Sequence, residues 1–133
     1  KAGQEEIAQT SITQPLIVSA SIASTRTVFN EKQIASFDAM AGHSVGEFAV
    51  AALAGIITDE QAMKLVSLRA NAMQKAADEN VTGMAAAIGS DLGELKSKLG
   101  NLVIANYNGA NQYVIAGAQA DLEKIKEEPP AGF

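Results

Sequence analysis

The sequence predicts an α/β chain in two parts, and three observations predict it. Gly42-His43-Ser44-Val45-Gly46 has the form of a sharp strand-to-helix turn, and a long helical pattern runs from Asp59 to Glu79. After Gly83, short apolar runs alternate with helical ones in the order β-α-β-β-α. The first part is expected over residues 1–79 and the second over residues 80–133. A length of 133 residues with 47% hydrophobic and 19% charged content suits a folded chain of about one ordinary domain.

Early in the chain, residues 3–9 suit a short helix. Thr13 is a candidate N-cap, and Pro15 fits a first helical turn, where its missing N–H costs nothing. Leu16 to Phe29 is rich in Ile, Val and Thr, yet its length and interspersed Ala and Ser favour a buried helix over a strand. Phe37 to Ala41 is expected to be a short buried strand delivering the chain to Gly42. Val45 to Leu53 is small, apolar and closed by Gly55, as a helix would be. Thr58-Asp59-Glu60-Gln61 is a capping box, in which Gln61 reaches back to the cap. The helix it opens has Ala62, Leu65, Val66, Ala70, Met73 and Ala76-Ala77 as its expected buried stripe.

In the second part, Met84–Ile88, Leu102–Tyr107 and Tyr113–Ala116 read as strands, Leu92–Leu99 and Ala120–Glu128 as helices, and Asn108–Asn111 as a turn. That order is the ferredoxin-like pattern without its last strand.

Charge and composition exclude several functions. A net charge of −5 with ten scattered basic residues argues against a nucleic-acid partner, which needs clustered Lys and Arg. With no cysteine, disulfides, thiol catalysis and zinc–thiolate sites are excluded, and no metal site is expected. The same lack of cysteine is compatible with a cytoplasmic location. No apolar run approaches the ~20 residues of a membrane span, so no membrane partner is expected. The chain starts at Lys1 and stops at Pro129-Pro130-Ala131-Gly132-Phe133 directly after a helical pattern. Both ends are therefore expected to be cut points within a longer protein.

A glycine two residues before and two after Ser44 lets the backbone turn sharply where a bulkier flank would clash, exposing the hydroxyl. Ser44 would then lie at the N-terminus of the helix from Val45, where the positive dipole end favours a developing oxyanion. The Val45 N–H is free to donate to that oxyanion, because the first helical N–H groups lack internal partners. Ser44 is thus expected to carry a covalent acyl intermediate.

A serine nucleophile needs a general base within hydrogen-bond reach. His43 is the one histidine of the chain. As the residue next to Ser44 on a tight turn, it is expected to project away from the hydroxyl and serve as scaffold. Glu47 suits the first helical turn by its charge alone. Arg69 sits among Val66, Leu68, Ala70 and Met73, and an arginine there needs an anionic partner. Two options stand open: an internal carboxylate such as Glu47 or Asp38, or an anionic group of a substrate.

Taken together, Gly42-His43-Ser44-Val45-Gly46-Glu47 and Arg69 within Ser67-Leu68-Arg69-Ala70-Asn71-Ala72-Met73-Gln74 resemble the malonyl-CoA:acyl-carrier-protein transacylases. Thr13-Gln14-Pro15, Gly83-Met84-Ala85-Ala86, Ala105-Asn106-Tyr107-Asn108 and Gln112-Tyr113-Val114-Ile115-Ala116-Gly117 extend the resemblance over essentially the whole chain. It implies part of an α/β-hydrolase-like acyltransferase subdomain followed by an incomplete ferredoxin-like one. It further implies a ping-pong transfer of malonyl from coenzyme A through Ser44 to the phosphopantetheine thiol of acyl carrier protein, with no cofactor beyond the coenzyme A thioester. By the same resemblance Val45 supplies an oxyanion N–H, Arg69 clamps the malonyl carboxylate, Gln14 lines that pocket, and Asn106 and Asn108 border the thioester channel. The family's Gly-Gln-Gly segment and catalytic histidine match nothing here. The 133 residues are therefore expected to be an internal piece, inactive alone. The alternatives are an acyltransferase domain of a polyketide synthase, an α/β-hydrolase esterase, or a remnant that keeps the turn without activity.

Overall fold

The computed structural model describes Gly3, Ile7 and residues 9–133. The chain forms two compact units, Lys1–Ala76 and Ala77–Phe133. The helix expected at residues 3–9 falls largely outside the described residues.

The first unit is helical: α1 (Thr10–Val28), α2 (Glu31–Ala35), α3 (Gly46–Leu53) and α4 (Asp59–Glu79), the last running past the unit's end. Helix α1 begins earlier than Thr13. Gln9 is its N-cap and offers no side-chain cap, while the Thr13 hydroxyl donates to the Gln9 carbonyl at 3.0 Å and to that of Ile7. Pro15 consequently lies inside the helix rather than in its first turn. Helix α2 is closed at its start by a reciprocal box, Gln33 N–H to Asn30 at 3.1 Å and Asn30 N–H to Gln33 at 2.9 Å. The box at α4 forms as its sequence predicts, with Gln61 N–H to the Thr58 hydroxyl at 3.1 Å and Thr58 N–H to Gln61 Oε1 at 2.8 Å. Gly55, just beyond α3, takes φ +72°.

The core of this unit is built from small faces. Val18 and Ile22 of α1 meet Ala49 and Ala52 of α3 and Ala62 and Val66 of α4, with Phe48, Ile57 and Met63 packed around them. Alanine at these contacts lets helix backbones approach closely. Complete burial of Val66 contributes about 1.5–3 kcal/mol.

Two expectations fail here. Phe37–Ala41 is not a strand: no sheet ladder reaches it, and a strand exists only through its hydrogen-bonded neighbour. On α4 the buried stripe is narrower than the pattern suggests. Ala62, Val66 and Ala70 are buried, whereas Leu65, Met73, Ala76 and Ala77 are exposed, as is Leu68 beside Arg69. Residues of the described chain cover only one side of this helix.

The second unit contains β1 (Thr82–Ile88), α5 (Leu92–Lys98), β2 (Val103–Gly109), β3 (Gln112–Ala118) and α6 (Gln119–Glu127). Its sheet has the order β1-β3-β2, with β3 antiparallel to both neighbours. Strands β1 and β2 are therefore parallel, joined through α5 and separated by β3: a split β-α-β unit. One face is covered. Ala85, Ala87, Ile104, Tyr113 and Ile115 pack with Leu95, Leu122 and Ile125 of the two helices. The other face carries the exposed Met84, Ile88 and Val103.

Thr58→Ala removes one half of the α4 box. It should lower unfolding stability by about 1 kcal/mol, read as a reduced urea midpoint with an unchanged slope.

Candidate active site

The turn at Ser44 is strained in the way its sequence implies, with one difference. Ser44 has φ 54°, the one positive value of a non-glycine residue among those described. An L-residue held there costs on the order of 1–2 kcal/mol, which neighbouring structure must offset. Gly42 is part of that structure. A Cβ at position 42 would lie 2.4 Å from the carbonyl carbon and oxygen of Gly46, closer than real atoms come. Gly46 differs, since a Cβ there would meet nothing within 4 Å. Only the first glycine of the pair is demanded by close approach among the described residues.

Helix α3 starts at Gly46, with Val45 as its N-cap. The N–H groups of Gly46, Glu47 and Phe48 donate to the carbonyls of His43, Ser44 and Val45 at 3.0, 3.2 and 3.3 Å. Among the described residues the Val45 N–H has no hydrogen-bond partner, and it stands next to Ser44 at the helix's positive end. Glu47 sits exposed in the first turn of α3, and the His43 side chain is exposed.

Arg69 comes from α4 to meet this turn. Its Nη2 donates to the Ser44 hydroxyl oxygen at 3.1 Å. Its Nη1 donates to Gln14 Oε1. Neither Glu47 nor Asp38 takes up the arginine, and among the described residues no carboxylate lies within ion-pair distance of it. The two acceptors, Gln14 Oε1 and Ser44 Oγ, are neutral oxygens. The guanidinium offers donors and no acceptor, so its contact with Ser44 is that of a donor to the hydroxyl oxygen.

Gln14 explains how the arginine is held. On α1 the buried positions Gln14, Val18 and Ile22 recur every four residues, so the glutamine occupies a core stripe. It is 5% exposed. Its Nε2 donates to the Thr10 hydroxyl at 2.8 Å and to the Met73 sulfur at 3.3 Å, which leaves Oε1 for Arg69. The amide orientation follows from these partners, because a flip would set donor against donor.

Asn106 and Asn108 belong to the second unit, on β2. Two register irregularities place them. Ile104 pairs with Ile115 and Asn106 with Val114, so one extra residue lies between them; a second shift separates Tyr107 from Gly109. The first bulge sets Tyr107 opposite Tyr113, whose ring it meets edge-on at 5.7 Å while itself staying exposed. Asn106 falls opposite Val114 and is half-buried. Period-2 reading of the sequence would have put Asn106 on the face of Ile104. A cavity of about 580 Å³ in this unit is lined by β1, α6 and Pro129–Phe133, and by none of the candidate site residues. Among the described residues, no cluster of three or more His, Asp or Glu side chains could hold a metal ion, and no helix is long and apolar enough to cross a membrane.

Fold and site together define a mixed α/β chain with a strained serine beside an arginine that is held, among the described residues, by neutral oxygens. The sequence matches the acyl transferase domain family over residues 2–129, and the chain belongs to that family. It is 44% identical over 132 residues to a malonyl CoA-acyl carrier protein transacylase of Mycolicibacterium smegmatis, covering 98% of this chain and 46% of the relative. Its fold superposes with a TM-score of 0.90 on the crystal structure of MCAT from Mycobacterium tuberculosis, 42% identical, over 98% of this chain and 44% of that one. A second solved structure holds a type II PKS acyl-carrier protein in complex with its malonyl-transacylase. It gives a TM-score of 0.83 at 33% identity, over 98% of this chain and 45% of that one. The chain thus spans about half the length of the relatives it matches.

Gly42→Ala should destabilise the protein by about 1–3 kcal/mol through overpacking, whereas Gly46→Ala should stay within about 0.5 kcal/mol of the parent. Thermal melting of the two variants side by side checks the contrast.

Proposed function

We propose that the complete protein transfers a malonyl group from coenzyme A to the phosphopantetheine thiol of acyl carrier protein, by way of a malonyl ester on Ser44. The observation that carries this reading is the Arg69 guanidinium on the Ser44 hydroxyl at 3.1 Å, with no carboxylate at ion-pair distance among the described residues. An esterase for uncharged acyl groups has no use for a cation at that place. An acyl group that ends in a carboxylate does.

In the first half-reaction, Ser44 Oγ attacks the thioester carbonyl, and coenzyme A leaves as its thiol. The Val45 N–H is the donor assigned to the developing oxyanion. As Oγ becomes an ester oxygen, it is a poorer acceptor for Arg69 Nη2, which is released to the malonyl carboxylate lying two carbons from the ester carbonyl oxygen. Each Nη carries two hydrogens, so the bond to Gln14 leaves donors for a two-point grip. In the second half-reaction the carrier's thiol attacks the ester, and Ser44 takes back its proton. The general base for both steps is assigned outside these residues. No cofactor enters this scheme, and the cytoplasm is the compartment it suits.

On this reading residues 1–79 are part of the α/β-hydrolase-like catalytic subdomain and residues 80–133 part of the ferredoxin-like one. The β1-β3-β2 order supports the latter, since the split β-α-β unit leaves β1 as a free edge for a further strand. Asn106 and Asn108 are assigned to the border of the thioester channel. A polypeptide limited to residues 1–133 should show no significant turnover, and robust transfer by it would count against placing the base elsewhere.

In the complete protein, Arg69→Ala should reduce malonyl transfer to the carrier by about tenfold or more beyond its effect on acetyl transfer, the scale of one lost charge-assisted pair. Equal losses for the two acyl groups would favour an esterase-like site.

A further inference from the structure

We propose that Asn108-Gly109, at the closing end of the β2–β3 hairpin, is a site of spontaneous deamidation. As the protein ages, it acquires there a carboxylate and an altered backbone. The inference goes beyond the acyl transfer and does not depend on it.

Of the seven asparagines in the sequence, Asn108 alone precedes a glycine. With no Cβ after it, the next backbone nitrogen is unshielded and the chain reaches conformations that a side chain obstructs. The surroundings do not restore that shielding. Both residues are exposed, and a Cβ built at Gly109 would meet nothing within 4 Å. The ladder is irregular at the same place. Tyr107 pairs with Tyr113 and Gly109 with Gln112, so Asn108 is the extra residue between two rungs. Gly109–Gln112 is also the last rung before the Ala110–Asn111 turn, and the ends of ladders open at little cost in free energy. Asn106, by contrast, is half-buried and paired with Val114 inside the ladder.

When that rung opens, the Gly109 nitrogen loses its proton to hydroxide and attacks Cγ of Asn108. The new N–Cγ bond closes a five-membered succinimide, and the side-chain nitrogen leaves as ammonia. Water then opens the ring at one of its two carbonyl carbons. Breaking the N–Cγ bond restores the normal backbone with an aspartate at position 108. Breaking the bond from the same nitrogen to the main-chain carbonyl carbon leaves an isoaspartyl link, in which the chain runs through Cβ and Cγ. No oxidation state changes, and the net reaction exchanges one ammonia for one water. Either product adds a negative charge. The isoaspartyl form also lengthens the backbone by one atom between the Tyr107–Tyr113 and Gly109–Gln112 rungs, so it disturbs the end of the hairpin.

The test incubates the complete protein for days at neutral pH, folded and in urea, and digests it in mild acid so that digestion adds no conversion. Mass spectrometry of the peptides should show the amide-to-acid increment at Asn108, placed there by fragment ions, together with a separately eluting isoaspartyl isomer. The folded protein should convert within about tenfold of the rate in urea, as a rung that opens at little cost requires. Gly109→Ala should slow the conversion by about threefold or more, the weight of glycine's extra backbone freedom. Conversion at Asn108 no faster than at Asn106 or Asn111 would overturn the proposal. So would a folded rate far below the rate in urea, which would mean that the fold protects the site. An unchanged rate in Gly109→Ala would overturn it as well; if that variant does not fold, the comparison of folded and urea-unfolded parent decides.

Discussion

The arrangement at Ser44 depends on one hydrogen-bonded chain, from the Gln14 carboxamide through the Arg69 guanidinium to the serine hydroxyl. It joins α1, α4 and the turn before α3, three segments separated by 55 and 25 residues in sequence. A half-buried arginine ordinarily stabilises itself on a carboxylate, and among the described residues its acceptors here are neutral. The charge left over is a cost to the folded protein. On the proposed function it is also the feature that selects a carboxylated acyl group, so the cost is retained where binding can offset it.

The packing below the site makes this chain possible. Alanines at 49, 52, 62 and 70 bring α1, α3 and α4 close enough for side chains from each to converge. Gly42 permits the turn to fold back against Gly46, and that contact holds Ser44 at its positive φ. The bidentate pairing of Arg26 with Asp59 ties the end of α1 to the start of α4, though both groups are about 40% exposed and such a pair adds only about 0.2–1 kcal/mol. Rigidity at the serine thus comes from backbone approach and small-residue packing more than from charge.

Much of this is legible in the sequence because the signals are local. The Thr58 box, the helix at Leu16–Phe29 and the β-α-β-β-α order follow from capping chemistry, length and periodicity. The box at Asn30–Gln33 carries the same kind of signal, Asn-x-x-Gln, and was open to the same reading. Non-local features were not legible. Phe37–Ala41 has a strand's composition without a strand's neighbour, and Leu65, Leu68 and Met73 look buried in a pattern although nothing in the described residues covers them. The facing of Asn106 depends on a bulge defined by its pairing with β3, which one strand's sequence does not encode. For Arg69 the residues alone left two partners open, and geometry removes the internal carboxylates without itself supplying the substrate.

The central claim is that Ser44 carries a malonyl ester under the charge of Arg69. Competition labelling tests it most directly: the complete protein is exposed briefly to equal concentrations of malonyl-CoA and acetyl-CoA, quenched in acid, digested and mapped by mass spectrometry. The account predicts one modified peptide, the one containing Ser44, with malonyl well in excess of acetyl. An adduct on another residue, or malonyl and acetyl in equal amounts on Ser44, would contradict it.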